Sequence, residues 1–355
     1  MKSSAIVLAN RLFETPNGKV AHGLIRGSDR FQVTAVVDPD CAGKDAGEAL
    51  DGERRNIPIV ASLEEALAIS ERAPDYCVVG IATHGGRFTE ELRTTVLEAV
   101  KRGLAIVNGL HDVAAEDAEI AAAAQIAGVE LIDLRKSPAK STLHFWEGDI
   151  HQVRAPRIAV LGTDCALGKR TTTRLLVQAL NDSGMHAEMI YTGQTGWMQG
   201  ARYGFVFDSV INDYVSGEVE HAIVSCDRET QPDIMVIEGQ SSLRNPSGPC
   251  GAEFLLSGGA RGVVLQHAAG REFFEGYEEH QLRIPSVADE IALIAMYGAT
   301  TLAVTLNGAH VSADELIARQ QSYEHELGIP VLRPLEEGLD RLVPVMREYI
   351  EEQRR

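Results

Sequence analysis

Residues 157–173 read Arg-Ile-Ala-Val-Leu-Gly-Thr-Asp-Cys-Ala-Leu-Gly-Lys-Arg-Thr-Thr-Thr, and this stretch decides the fold. An apolar run of strand character ends at Gly162, and a loop closed by Gly168 leads into Lys169 and a hydroxyl-rich helical turn. Successive backbone N–H groups in such a loop form an anion nest. The helix N-terminus adds its dipole, and the lysine neutralises a bridging phosphate. The spacing differs from the common P-loop, because five residues, 163–167, separate the glycines. Arg170 also stands where a magnesium-binding Ser or Thr is usual, so either Thr171 takes that role or the metal role is altered or absent. Gly162, Thr163, Asp164, Cys165, Gly168, Lys169, Arg170, Thr171 and Thr172 are therefore the expected phosphate or cofactor contacts.

Outward from the loop, strand and helix signals alternate. After 157–162 the second half offers strands at 186–192, 233–239, 262–268, 300–306 and 329–333. Helices are expected at 168–182, 208–227, 251–257, 287–297, 312–327 and 337–353. The first half has apolar runs at 4–9, 31–37, 75–82, 104–108 and 129–134, with helical stretches at 19–26, 62–71, 90–102 and 115–127. Repeated β-α calls for mostly parallel sheets covered by helices. The fold class is α/β, an N-terminal Rossmann-like parallel-sheet domain over 1–135 and a P-loop NTPase-like α/β domain over 157–355. The aperiodic stretch 136–156 reads as the linker.

Composition sets limits. The 355 residues exceed what one core comfortably serves. A formal charge of -18 repels nucleic acid and anionic membranes at long range. Five scattered cysteines, with no Cys-x-x-Cys pair, suit a reducing compartment. No stretch of eighteen apolar residues occurs, so a cytoplasmic enzyme with no nucleic-acid or membrane partner is expected, as a homo-oligomer.

Strand ends supply the remaining candidates, since ligands meet open α/β sheets at the carboxyl edge. Glu238 closes Asp-Ile-Met-Val-Ile-Glu and is suited to act as a base or to hold Mg²⁺; Gln240, Ser241 and Arg244 follow it as substrate contacts. Gln194 and Thr195 lie in Gly-Gln-Thr-Gly, with Arg202 beyond. His267 ends the run from Gly262, and Asn307 closes Leu-Ala-Val-Thr-Leu. In the first half, Thr83-His84-Gly85-Gly86-Arg87 and Asn108-Gly109-Leu110-His111 are glycine-marked loops. No Gly-x-Gly-x-x-Gly follows the first strand, which argues against dinucleotide binding there.

The five-residue gap, the Asp164-Cys165 pair, the displaced Thr171, Gly193-Gln194-Thr195-Gly196 and Glu238-Gly239-Gln240 together resemble a formerly uncharacterised bacterial and archaeal P-loop family. Its members have a Rossmann-like first domain and a second domain similar to dethiobiotin synthetase. The likeness covers nearly the whole chain and is strongest to the family's D-glutamate N-acetyltransferases, enzymes of D-amino acid catabolism. It implies acetyl transfer from acetyl-CoA to D-glutamate, with Glu238, His267 and Gln194 catalytic and no metal. The P-loop and Asn307 would then anchor the coenzyme, while Thr195, Arg202, Gln240, Ser241 and Arg244 would hold substrate. The alternatives are an ATP/Mg²⁺-dependent ligase or kinase acting on a small carboxylate, and a nucleotide-binding regulatory protein.

Overall fold

A computed structural model describes every residue except Met1, Glu71 and His84; the His84 of the first-half loop therefore lies outside the described residues. The chain forms two compact units, residues 1–138 with 194–201, and residues 139–193 with 202–355.

The first unit is a six-stranded parallel sheet. Its strands are β1 (Ser3–Leu8), β2 (Phe31–Val37), β3 (Ile59–Val60), β4 (Tyr76–Val79), β5 (Ala105–Asn108) and β6 (Leu131–Asp133), in the order β3-β2-β1-β4-β5-β6. The order reverses at β1, as in doubly wound folds. Helices α1 (Lys19–Arg26), α2 (Ala46–Asp51), α3 (Leu63–Ile69), α4 (Glu90–Lys101) and α5 (Ala118–Ala127) connect the strands. Short side chains start them: Ser62 accepts the Glu65 amide, Thr89 that of Leu92 and Asp117 those of Glu119 and Ile120. Where a dinucleotide fingerprint would place glycine, Asn10 and Arg11 turn the chain with φ of 49° and 64°.

Beyond residue 138 the chain runs through β7 (Arg157–Gly162), α6 (Lys169–Asp182), β8 (Ala187–Tyr191), α7 (Gln194–Met198), β9 (Tyr203–Gly204), α8 (Asn212–Thr230) and β10 (Ile234–Glu238). It continues through α9 (Ala252–Leu256), β11 (Gly262–Ala268), α10 (Val287–Met296), β12 (Thr300–Asn307), α11 (Ala313–Leu327), β13 (Val331–Leu332) and α12 (Leu342–Gln353). The seven strands run in the order β13-β12-β11-β7-β10-β8-β9 and pair parallel. Strands β7, β10 and β11 are almost wholly buried, which is why their sequences are continuous apolar runs rather than alternating ones.

Of the elements in this span, α7 is the exception to the grouping. Residues 194–201 pack with the first unit. Gln199 Nε2 donates to the carbonyls of Gly23 and Gly27 at 2.7 and 2.9 Å, and the Arg30 guanidinium stacks 3.9 Å above the Trp197 ring. Met198 is fully buried in that unit's core. Residues 144–150 form a strap on α8. Buried Glu220 accepts the amides of Glu147 and Ile150 at 2.6 and 3.0 Å, and Gly217 gives the strap backbone room to approach. Helix α8 starts later than the expected 208, because residues 207–209 form a separate 3-10 turn. Among the described residues no helix is long and apolar enough to cross a membrane.

Candidate functional site: the P-loop of the second unit

Strand β7 lies between β11 and β10, so the loop after it is bordered by two strand ends. Ala166 and Gly168 take φ of 52° and 94°. Among the described residues, none of the amides of 164–168 donates to another protein group. Unspent N–H groups on a loop with alternating backbone hand are the makings of an anion site. The Lys169 side chain folds back across Gly162, where a Cβ would stand 3.0 Å from Cδ and 3.1 Å from Nζ. Its Nζ donates to the Asp164 carbonyl at 2.6 Å, and burial pushes its pKa down to about 8.

The three threonines after the lysine separate by role. Thr172 Oγ1 donates to Gln266 Oε1 at 2.5 Å, an oxygen shared with Thr305 Oγ1 at 2.6 Å. Thr173 Oγ1 donates to the Lys169 carbonyl at 2.8 Å. Thr171 is half-buried, and among the described residues its hydroxyl has no protein partner. It is the one hydroxyl of the three left for a ligand.

Glu238 is 4% exposed at the end of β10, paired in register with Val160 of β7. Its Oε2 accepts the amides of Thr192 and Gly193 at 3.0 and 3.3 Å. Burial raises its pKa, against the pull of those amides and of Arg170 and Lys169. A carboxylate on the strand beside the P-loop strand sits where P-loop NTPases keep the acid that helps hold Mg²⁺. Gln240 Nε2 donates to Thr192 Oγ1 at 3.0 Å and borders Gly193.

Other expected contacts are engaged within the protein. Asp164 is fully buried; its Oδ1 accepts Asn245 Nδ2, and its Oδ2 accepts Arg271 and the Glu275 amide, each at 2.8 Å. With both oxygens taken, it fixes the loop rather than offering a metal ligand. Cys165 Sγ contacts Ser241 Oγ at 3.3 Å, and Asn307 Nδ2 holds the Leu167 carbonyl at 2.9 Å. His267 Nδ1 meets Thr163 Oγ1 at 2.9 Å, and burial, helped by Arg319 and Arg271, pushes its pKa down to about 4. Such an imidazole is a weak base. Arg202 pairs with Glu229 on the surface, and Arg244 gives its Nε to Glu290 at 2.6 Å. Gln194 and Thr195 are buried in the first unit, where Gln194 packs against Gly109. Sequence reading missed Arg271, Asn245 and Gln266; only Arg271, three residues past β11, carried a strand-end signal.

Residues 144–343 match a family profile described as a domain of unknown function, the DUF1611 C-terminal P-loop domain. Residues 39–137 match its N-terminal Rossmann-like domain. A crystal structure of a DUF1611 family protein from Anabaena variabilis superposes with a TM-score of 0.88 at 28% identity, over 98% of this chain and 100% of that one. Two relatives named D-glutamate N-acetyltransferase are similar: one from Tritonibacter scottomollicae at 27% identity (80% of this chain, 84% of the relative), one from a Pseudoalteromonas at 30% (75% and 79%).

The acetyl transfer expected from the sequence is corrected here. Relatives at 27% and 30% identity establish kinship, and they do not carry their activity to this chain. A cobyrinic acid a,c-diamide synthase from Mycobacterium smegmatis with bound ADP and magnesium aligns at TM-score 0.32 and 14% identity over 56% of this chain and 93% of that one. The imidazole expected as a base is held neutral against Thr163, and Arg202, expected to clamp glutamate, is turned to Glu229 on the surface. What stands open at the loop itself is a nest of amides, a lysine, one hydroxyl and one carboxylate. That set suits a polyphosphate with a hard cation, and acetyl-CoA and D-glutamate are withdrawn.

Proposed function

The chain belongs to the DUF1611 family, and on that footing we propose that it is an ATP- and Mg²⁺-dependent enzyme of the ligase or kinase type, working at the P-loop of its second unit. The observation that carries this reading is the run of unspent amides at 164–168 closed by buried Lys169.

The residues fit the group. Amides of 164–168 bind phosphate oxygens, and the Lys169 ammonium offsets their charge. Thr171 Oγ1 and the Glu238 carboxylate are hard oxygen donors of the kind Mg²⁺ takes. Bound ATP supplies a transferable phosphoryl group. Around it, Asp164 keeps the loop rigid through Arg271 and Asn245, so the amides need no rearrangement to receive the anion.

The test is ADP formation by the purified protein with ATP and Mg²⁺, in the presence and absence of a panel of small carboxylates, alongside Lys169→Met. Carboxylate-dependent ADP release, abolished by that substitution, is expected. Thiol release from acetyl-CoA with D-glutamate and no nucleotide would overturn the proposal and return the chain to the activity named for its relatives. So would calorimetry showing no binding of ADP with or without Mg²⁺.

A further inference from the structure

The segment after β10 holds a second, unassigned arrangement. Asn245 ties it to the loop through Asp164 and to Cys165 Sγ at 3.6 Å, and Ser241 meets the same sulfur. Between those ties stands Arg244, its side chain 36% exposed. Glu290, from the first turn of α10, is 1% exposed and accepts Arg244 Nε through Oε1. Among the described residues its other oxygen, Oε2, is buried without a partner, as is the Ser242 hydroxyl two residues before the arginine. Burial raises the Glu290 pKa against the pull of Arg244.

A buried carboxylate with one oxygen unsatisfied is costly, and a chain rarely keeps one without use. What it does here is geometric. By taking Nε, it leaves the two terminal nitrogens of the guanidinium as an open fork, and among the described residues neither has a protein partner. That fork matches a carboxylate in a bidentate pair.

We propose that Arg244 is the anchor for a substrate carboxylate beside the P-loop, with Glu290 as the positioning residue that aims it. Taken with the function proposed above, on which it rests for the reaction, this makes the acceptor a small carboxylic acid. Anchor and nucleotide site are joined through Asn245 and the P-loop, so the carboxylate is held on the same rigid frame as the phosphates.

The experiment is ligand-observed NMR on the full chain with succinate, glutarate and glutamate, each beside its amide, with and without Mg²⁺-ADP. At least one acid, and not its amide, is expected to bind. Arg244→Gln should weaken that acid roughly 10- to 100-fold while ADP affinity holds. Glu290→Gln should weaken it less, and added guanidinium should restore binding to Arg244→Ala. Because Arg244→Gln strands a buried carboxylate, the double variant Arg244→Gln/Glu290→Gln is read beside it and should lose the acid equally. Acid binding that survives in the double variant, or no acid binding to the natural chain, overturns the proposal. Acid binding lost with Arg244 in a protein that binds no ADP upholds the anchor and sinks the ATP-dependent reading alone.

Discussion

Lys169 turns its ammonium back onto its own loop, with Nζ 2.6 Å from the carbonyl oxygen of Asp164. The loop is thus closed on its cation before any ligand arrives, and burial holds that cation's pKa near 8, below its usual 10.5. An incoming phosphate favours the charged form and lifts the pKa again. Nucleotide affinity is therefore expected to be full below pH 8 and to fall by up to about tenfold per pH unit above it. Calorimetry with ADP between pH 6.5 and 9.5, in buffers of differing ionisation enthalpy, should show proton uptake near pH 8. Lys169→Met should abolish the uptake and weaken binding roughly 10- to 100-fold. A flat affinity across this range would remove the lysine from the phosphate site.

His267 gives the opposite kind of test, one of stability. Its folded pKa of about 4 lies below the 6.5 of an exposed imidazole, so the unfolded chain binds more protons between those values. The sign follows: the contribution is complete above pH 6.5 and is lost as pH falls towards 4. The group is almost wholly buried, and the expected loss is on the order of 3 kcal/mol. Melting curves from pH 7 to pH 4 should fall less steeply for His267→Gln, which can still meet the Thr163 hydroxyl. Parallel curves would place the acid sensitivity elsewhere.

The two tests draw on features of unequal legibility. The run Arg157–Gly162 followed by glycine and lysine announces strand, loop and helix, because each local preference agrees with the next. Which threonine remains for a ligand could not be read there, since the answer lies in Gln266, nearly a hundred residues on, which takes the Thr172 hydroxyl. Likewise the Asp164 carboxylate looks free for a bound cofactor until Asn245 and Arg271 are seen on its oxygens. The grouping of 194–201 with the first unit leaves no trace in periodicity, as it depends on Gln199 finding the carbonyls of Gly23 and Gly27. The same holds for Glu290, a plain helix-opening acid in sequence and a buried partner of Arg244 in the fold.

Glu238 separates magnesium from nucleotide. Its Oε2 is fixed by the Thr192 and Gly193 amides, and a glutamine oxygen can accept those same donors. Glu238→Gln is therefore expected to fold normally while losing the charge that would draw Mg²⁺. The gain in ADP affinity on adding Mg²⁺ should shrink by roughly tenfold, measured by calorimetry with and without chelator. Thr171→Val should act in the same direction, whereas Thr172→Val, whose hydroxyl faces Gln266, should lower the melting temperature instead. An unchanged Mg²⁺ effect in both Glu238→Gln and Thr171→Val would remove these residues from the cation.

The strap on α8 can be tested through a glycine. A Cβ on Gly217 would stand 2.0 Å from the His144 carbonyl oxygen and 2.5 Å from the Phe145 carbonyl carbon, both backbone atoms that cannot swing aside. Gly217→Ala gains about 1 kcal/mol of helix propensity. Overpacking costs about 1–3 kcal/mol, and more when the obstacle is backbone, so the net effect is destabilising. At about 2–4 °C per kcal/mol for a unit of this size, the melting temperature should drop by several degrees. Gly248→Ala is the control, since among the described residues nothing lies within 4 Å of its Cβ position and its φ is not positive. Trypsin should also cut faster at Lys140 or Arg154, which flank the strap, in Gly217→Ala than in Gly248→Ala. Equal melting and equal cleavage in the two variants would mean that α8 does not hold the strap, and Glu220 would then lose its role as the acceptor that fixes Glu147 and Ile150.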